Sequence, residues 1–582
     1  MIFKNNYRPA LATAGAPCSF KAEKKAQSGI MFNSADETED FNAFQGSSSQ
    51  QKEMKRRPQK KKTTLELSLK TLLIAAASVV ALILLIVVVV AALNSSGTPI
   101  TAENNSFISY ENDGRYYVAM NGEIIGDGFE NEIELTPAAD NSFAYVFEDT
   151  PDGINAYILD KKELTLVIPT PVSEIVTVAD YEPGIIYKDD DAFYFYADDS
   201  DDKITKNPTA GNFIIAPDAS AVAYTEAKDE DVTQSKLYLY TNGNEDSYAT
   251  NMCPVAVAPG GKYIYAYGID SDAITKKLYM ISPEDDEKYS IASNFNAITY
   301  MNIKGDEIIY CTSSVNDGFS SHIYSAKKNE SFKIGAGWCV PLTADPTTVR
   351  LSSLKNIVVE NTFSLSELNT KSATYYIGKD YTSARISTYN GKLNSSGDIF
   401  YYTDSDNTLK YIDLNDKTRT SEEIAEDVLE FVVTAKDNIY FIDDDGRLRF
   451  HKSSSGKSKT IESGEVTNMS LNAYSNILYF DVEDDAKAYC TEEGSAKEIA
   501  EFARAEIYTA PEFVDGAQKR TFAYVKNSDT ELYDIYYTSS GKTYKLIATD
   551  CDYINGDDIT IEDIINGIED AVTGEGSGDS EG

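Results

Sequence analysis

Histidine is nearly absent, with two in 582 residues. That leaves little material for His-based proton transfer or for a zinc site. Tryptophan occurs once, against 40 tyrosines. The scarcity weakens an aromatic platform for glycans, and tyrosine at strand-centre spacing reads as core. Cysteines are few and scattered: Cys18, then Cys253, Cys311, Cys339, Cys490 and Cys551. The odd five after the long apolar run are not a disulfide framework; at most two bridges form, and spacing assigns none. Positive charge is short as well, 52 Lys and Arg against 93 Asp and Glu, for a net of −41. An acidic body of that size excludes a general nucleic-acid binder, because phosphate is repelled. Clear helical periodicity is scarce.

One segment stands apart. Thr71–Leu93, TLLIAAASVVALILLIVVVVAAL, runs 23 residues without a charge, Pro or Gly. As a helix it reaches about 34 Å, enough to span a hydrocarbon core. It is longer than a signal-peptide core and lies further from the N-terminus. Lys52, Lys55, Arg56, Arg57, Lys60, Lys61, Lys62 and Lys70 precede it, and no positive charge stands in 94–101. The positive-inside rule then predicts a single-pass protein of the cell membrane. Its N-terminus is cytoplasmic, its C-terminal part extracytoplasmic, and the lipid bilayer is its first partner. Residues 1–70 read as a basic, disordered cytoplasmic tail, 94–104 as a linker and 551–582 as an acidic flexible tail.

Between 105 and 550 the pattern is one of short strands. Asp398–Tyr402 (DIFYY), Asn438–Ile442 (NIYFI) and Asn476–Phe480 (NILYF) are aromatic and β-branched, and Asp/Asn/Gly/Ser turns follow them. Tyrosines anchor the strongest strands at 145, 187, 224, 265, 310, 402, 440, 479 and 524. Their spacing is near 40 residues, except for one double interval with a degenerate unit near Val358. A period of about 40 with about four strands per unit predicts an all-β fold of stacked propeller blades. About ten units exceed one ordinary propeller, so one large or two propellers are expected. Any domain boundary is placed within 338–390, which is rich in Ser and Thr.

Some units carry a turn signal before the aromatic strand. Ala216-Pro217-Asp218-Ala219-Ser220 precedes AVAYTE, and Ala258-Pro259-Gly260-Gly261-Lys262 precedes YIYAY. Leu135-Thr136-Pro137-Ala138-Ala139-Asp140 before NSFAYVF is looser. This pattern resembles the WD40-like repeat of TolB-type and dipeptidyl-peptidase-IV-type propellers. Phe400-Tyr401-Tyr402-Thr403-Asp404, followed by LKYIDLND, is similar to the Y-W-T-D blades of lipoprotein receptors. The resemblance implies a propeller; one such fold hosts many functions. Lys outnumbers Arg 41 to 11, which suits an AT-rich bacterium with one membrane.

Chemical motifs are mostly missing. Gly578-Asp579-Ser580-Glu581-Gly582 matches a nucleophile elbow in letters only, with no later His. The hydrolase domain that accompanies such propellers in peptidases is absent. Gly456-Lys457-Ser458 and Gly541-Lys542-Thr543 lack the first glycine of a phosphate loop. His322 and His451 have no neighbouring ligand residues. The acid groups Asp189-Asp190-Asp191, Asp198-Asp199, Asp404/Asp406 and Asp443-Asp444-Asp445 lack a full calcium-loop series. They read as hairpin turns on an acidic surface. No catalytic, cofactor or metal residue is assigned. The expectation is therefore binding without turnover, with an extracytoplasmic protein, peptide or wall polymer as partner. The alternative is a carboxylate-dependent hydrolase or lyase working in a propeller channel, since paired acids are remote in sequence.

Overall fold

The computed structural model describes residues 99–554, except 229–230, 269–275, 315–317, 345–347, 364–372, 473–475, 484–487, 493–495, 499–508 and 515–518. The chain divides into two units; the described residues all belong to one, and the other spans 35–98. Among the described residues the elements are strands, with two single 3-10 turns and no α-helix. The all-β expectation therefore holds.

The strands are antiparallel hairpins. Asp113-Gly114, Asn121-Gly122 and Asn242-Gly243 turn them, each pair with two positive φ angles: 51° and 72°, 51° and 79°, 47° and 77°. Those angles suit the twist of a two-residue hairpin and explain why Asn, Asp and Gly stand there. Successive hairpins join into four-stranded sheets, such as Ile133–Pro137, Ala144–Thr150, Gly153–Asp160 and Glu163–Leu166. The nine anchor tyrosines are all buried, none more than 8% exposed.

The core is a series of apolar clusters, each filled by two successive sheets. Tyr145 and Phe147 of one sheet meet Ile185 and Tyr187 of the next. Ile186 and Phe193 then meet Val222 and Tyr224. Late in the chain, Phe522 and Ile535 pack on Ile108 and Tyr110 of the first four-stranded sheet. That sheet also takes the last described strand, Tyr553–Ile554, against Phe107–Asn112. A single sheet buries one face at most against one neighbour, so stacking supplies the rest of the core.

Tyrosine hydroxyls tie the sheets together. The Tyr145 hydroxyl lies 3.2 Å from the Gly184 carbonyl and accepts the Gly184 N–H at 3.1 Å. Tyr265 repeats the device forty residues on, donating to the Gly305 carbonyl at 2.7 Å. Tyr145→Phe leaves the Gly184 N–H without that acceptor in a dry site. Such a loss costs about 1–3 kcal/mol, expected as a lower denaturant midpoint with an unchanged slope.

Two expectations are corrected. Among the described residues the strands are partitioned into separate open sheets, nine of four strands, one of seven and one of two, and no sheet closes into a propeller. The seven-stranded sheet arises from one long strand, Glu287–Met301. Its first part pairs with Lys276–Ser282 and its second with Glu307–Ser314. No Pro or Gly interrupts it, so two sequence units fuse into one sheet. The second correction concerns the membrane. Residues 71–93 lie outside the described residues, and among the described residues no helix is long and apolar enough to cross a membrane. Nothing among the described residues supplies the single-pass anchor, so it, the bilayer as partner and the cell-membrane location are withdrawn.

Candidate active site

The site begins on Ile357–Phe363, the second strand of a sheet with Trp338–Leu342, Thr374–Ile377 and Ser383–Ser387. Val358, Val359 and Glu360 form a run that suits a buried strand. Glu360 pairs with Val340 on one side and Thr374 on the other. Its side chain reaches toward the next sheet and is buried, 9% exposed. There its carboxyl accepts the backbone N–H of Gly391.

Gly391 opens the strand Gly391–Leu393. A Cβ at that position would lie 2.0 Å from the Tyr401 carbonyl oxygen and 2.6 Å from the Phe400 ring. Only glycine allows this close approach. Asn390 reinforces it, donating from Nδ2 to the Asn361 carbonyl at 3.1 Å. Burial pushes the Glu360 carboxyl up to about 7, against the opposing pull of the Gly391 N–H. Desolvation disfavours the charged form, and one hydrogen bond restores part of the loss.

The next residue carries the complementary group. Lys392 Nζ donates to the Phe431 carbonyl of the following sheet at 2.9 Å and lies 5.3 Å from the Phe431 ring centroid. Burial drives this ammonium down to about 8, while the negative charge of Glu430 raises it. Glu430 in turn is raised by burial and lowered by Lys392. By area Glu430 is exposed and Lys392 half-buried. Water therefore moderates the Glu430 shift, and the weight rests on Glu360 and Lys392. Beside Glu430, Leu429 is 59% exposed, so this end is open to solvent. Glu360, Lys392 and Glu430 thus come from three successive sheets. Glu360 bonds the N–H of Gly391 from the preceding sheet, while Lys392, the next residue, reaches the following sheet, and neither charge perturbs the other.

The residues weighed from sequence are placed elsewhere. His322 stacks on Tyr310 at 5.3 Å, and burial and Lys333 hold its pKa down. His451 meets Ser458 at 3.0 Å and is lowered by burial. Asp198 and Asp199 sit in a hairpin turn with φ of 50° and 56°. Asp404 accepts N–H groups of Asp406 and Thr408, each at 3.0 Å, and pairs with Lys410 at 2.6 Å. Asp443, Asp444 and Asp445 bring carboxylate oxygens within 4.8 Å of one another, with only Asp443 buried. Arg447 and Arg449 pair with Asp443 at 3.0 and 3.2 Å. A cation held by this trio would share its oxygens with two guanidinium groups. Cys253, Cys311, Cys339, Cys490 and Cys551 are all free thiols.

The expectation of binding without turnover is corrected by these placements. It rested on acids confined to screened turns. Glu360 is a buried acid of raised pKa, and the Asp443–Asp445 group is part-buried rather than wholly a surface turn. Glu360, Lys392 and Glu430 are not among the residues that motif or spacing marks in the sequence. Their signal was a lone charge inside an apolar strand: VVEN, GKL and LEF.

No family model matches the chain, and no curated protein matches it. Solved structures similar to it include a prolyl endopeptidase, at 14% identity and a TM-score of 0.29, with 50% of this chain covered. The chain spans 48% of that enzyme's length. An oligogalacturonate lyase in complex with manganese shares 10% identity at a TM-score of 0.27, covering 62% of this chain and 96% of its own. Dipeptidyl peptidase 4 of Porphyromonas gingivalis shares 12% identity at a TM-score of 0.31, covering 75% and 65%. Likeness of this degree carries no inference about chemistry.

Proposed function

We propose that the chain is a carboxylate-dependent hydrolase or lyase in which Glu360 and Lys392 move protons. The observation that carries this reading is the buried Glu360 carboxyl on the Gly391 N–H, raised to about 7, with Lys392 of the same strand as Gly391 lowered to about 8. A group of pKa near the working pH is present in both forms and transfers protons efficiently. Titratable groups strongly perturbed by burial are a frequent mark of acid and base roles. As carboxylate, Glu360 takes a proton from water in hydrolysis, or from an acidic C–H in elimination. As ammonium, Lys392 gives a proton to the departing oxygen or nitrogen. Glu430 stabilises the charged lysine, and the Phe431 carbonyl holds it in place. The chain's net of −41 favours neutral or cationic substrates.

The test is a hydrolase and lyase screen of the full chain on neutral esters, amides and glycosides, followed by variants. Turnover is expected, and Glu360→Gln should lower kcat/KM by about 10²–10⁴-fold. Lys392→Met should remove the alkaline limb of the pH–rate profile. Turnover that survives Glu360→Gln unchanged would exclude this site.

A further inference from the structure

A cavity not lined by Glu360 lies among the turns that close the first hairpins of successive sheets. It measures about 350 Å³. Its walls come from the turns at Asp140, Tyr181–Glu182, Pro217–Asp218, Pro259 and Ile303, with Ile100 and Arg350 at one side. These turns are laced together. Ala139 N–H donates to the Asp180 carbonyl at 2.8 Å, Tyr181 N–H to the Pro217 carbonyl at 3.0 Å, and Gly260 N–H to Ser220 Oγ at 2.7 Å. The cavity is thus built from backbone tied sheet to sheet, a pre-formed recess rather than loose loops.

Its lining is mixed in a definite way. Pro217, Pro259, Ile100 and Ile303 are apolar. Asp140, Glu182 and Asp218 are carboxylates. Arg350 is the one cation in the lining among the described residues, and it is already engaged. It pairs with Asp180 at 3.2 Å and lies 4.9 Å from the Tyr181 ring centroid. Asp140 and Asp218 accept hydrogen bonds from Ser142 and Ser220. Among the described residues no hydrogen bond or ion pair engages the Glu182 carboxylate. Glu182 is exposed by area, and partial desolvation, then Asp140, Asp198 and Asp218, raise its pKa, so three carboxylates face the recess against one guanidinium that Asp180 already engages.

We propose that this cavity binds an organic cation, an alkylammonium or alkylguanidinium group whose stem lies on the proline and isoleucine walls while its charge meets Glu182 and Asp218. A bare metal ion would use the carboxylates but not the apolar walls. An alkyl cation uses both, and it relieves the repulsion that Glu182 carries. The same chemistry is offered by a free polyamine and by a Lys or Arg side chain of a peptide.

The test is calorimetric titration of the full chain with spermidine, with a tetrapeptide containing one Arg, and with calcium chloride. Saturable 1:1 binding of spermidine or of the peptide is expected, and the tighter of the two identifies the source. Glu182→Gln and Asp218→Asn should each weaken it at least tenfold while leaving the thermal midpoint in place. The double variant Glu360→Gln, Lys392→Met should leave it unchanged, which separates this site from the proposed reaction. Binding that is indifferent to Glu182→Gln, no saturable binding of either cation, or calcium binding tighter than both would each overturn the assignment.

Discussion

Replacing Tyr479 with Asp is expected to unfold the protein or to lower its stability by more than about 4 kcal/mol. Tyr479 is 2% exposed and lies in the cluster with Ala510, Val525 and Tyr536. Its ring centroid is 5.5 Å from that of Phe513 and 6.2 Å from that of Tyr544. Two losses combine. Removing a large buried aromatic costs about 3–5 kcal/mol through lost contacts and the space left behind. The introduced carboxylate must also either stay charged in an apolar layer or hold its proton well above its ordinary range. Tyr479→Phe keeps the ring and should cost about 1 kcal/mol for the hydroxyl interactions. Thermal unfolding of the two variants checks the account. A midpoint for Tyr479→Asp equal to that of the native chain would place this ring in solvent.

Glu360→Gln has a second expected effect, opposite in sign to its effect on turnover. In the folded chain the Glu360 carboxyl holds its proton to about pH 7, against an ordinary value of 4.5. Below pH 4.5 both states are protonated and the group contributes nothing. Between 4.5 and 7 the unfolded chain releases the proton while the folded chain keeps it. The folded state then binds more protons, so stability falls as pH rises. Above 7 the penalty is complete, at about 3 kcal/mol from the size of the shift. Gln has no charge to desolvate, and its amide oxygen can still accept the Gly391 N–H. Glu360→Gln should therefore match the native chain near pH 4 and exceed it in stability at pH 8. Urea unfolding at the two pH values measures this. A variant less stable than the native chain at pH 8 would mean that the carboxylate is favourably held there.

The strands were largely legible, because their cause is local. DIFYY, NIYFI and NILYF are dense in β-formers, and the turns after the first two carry Asn407 and Gly446 at positive φ, 58° and 74°. The tyrosine spacing also identified core positions, since the same place in each hairpin meets the neighbouring sheet. Sheet closure was not legible. The continuity of Glu287–Met301 depends on which strands pair on either side of it, which is a tertiary matter. The site was hidden for a similar reason. Glu360 is one acid among 93 Asp and Glu, and its special state comes from burial in the folded chain, which the Gly391 N–H only partly offsets. The clustered acids Asp189–Asp191 and Asp443–Asp445 read as surface turns, and a solitary acid in VVEN carries no such signal although burial perturbs it strongly.

The measurement that bears most directly on the proposed chemistry is the titration of Glu360 itself. Carboxyl-labelled glutamate, incorporated into the full chain and followed by carbon NMR, gives one resonance that Glu360→Gln removes and so assigns. The account predicts that this resonance titrates near pH 7, and that Lys392→Met shifts its midpoint little, because burial is the main cause. A midpoint near 4.5 would contradict it, since Glu360 would then be a permanently ionised carboxylate at neutral pH with no proton to exchange.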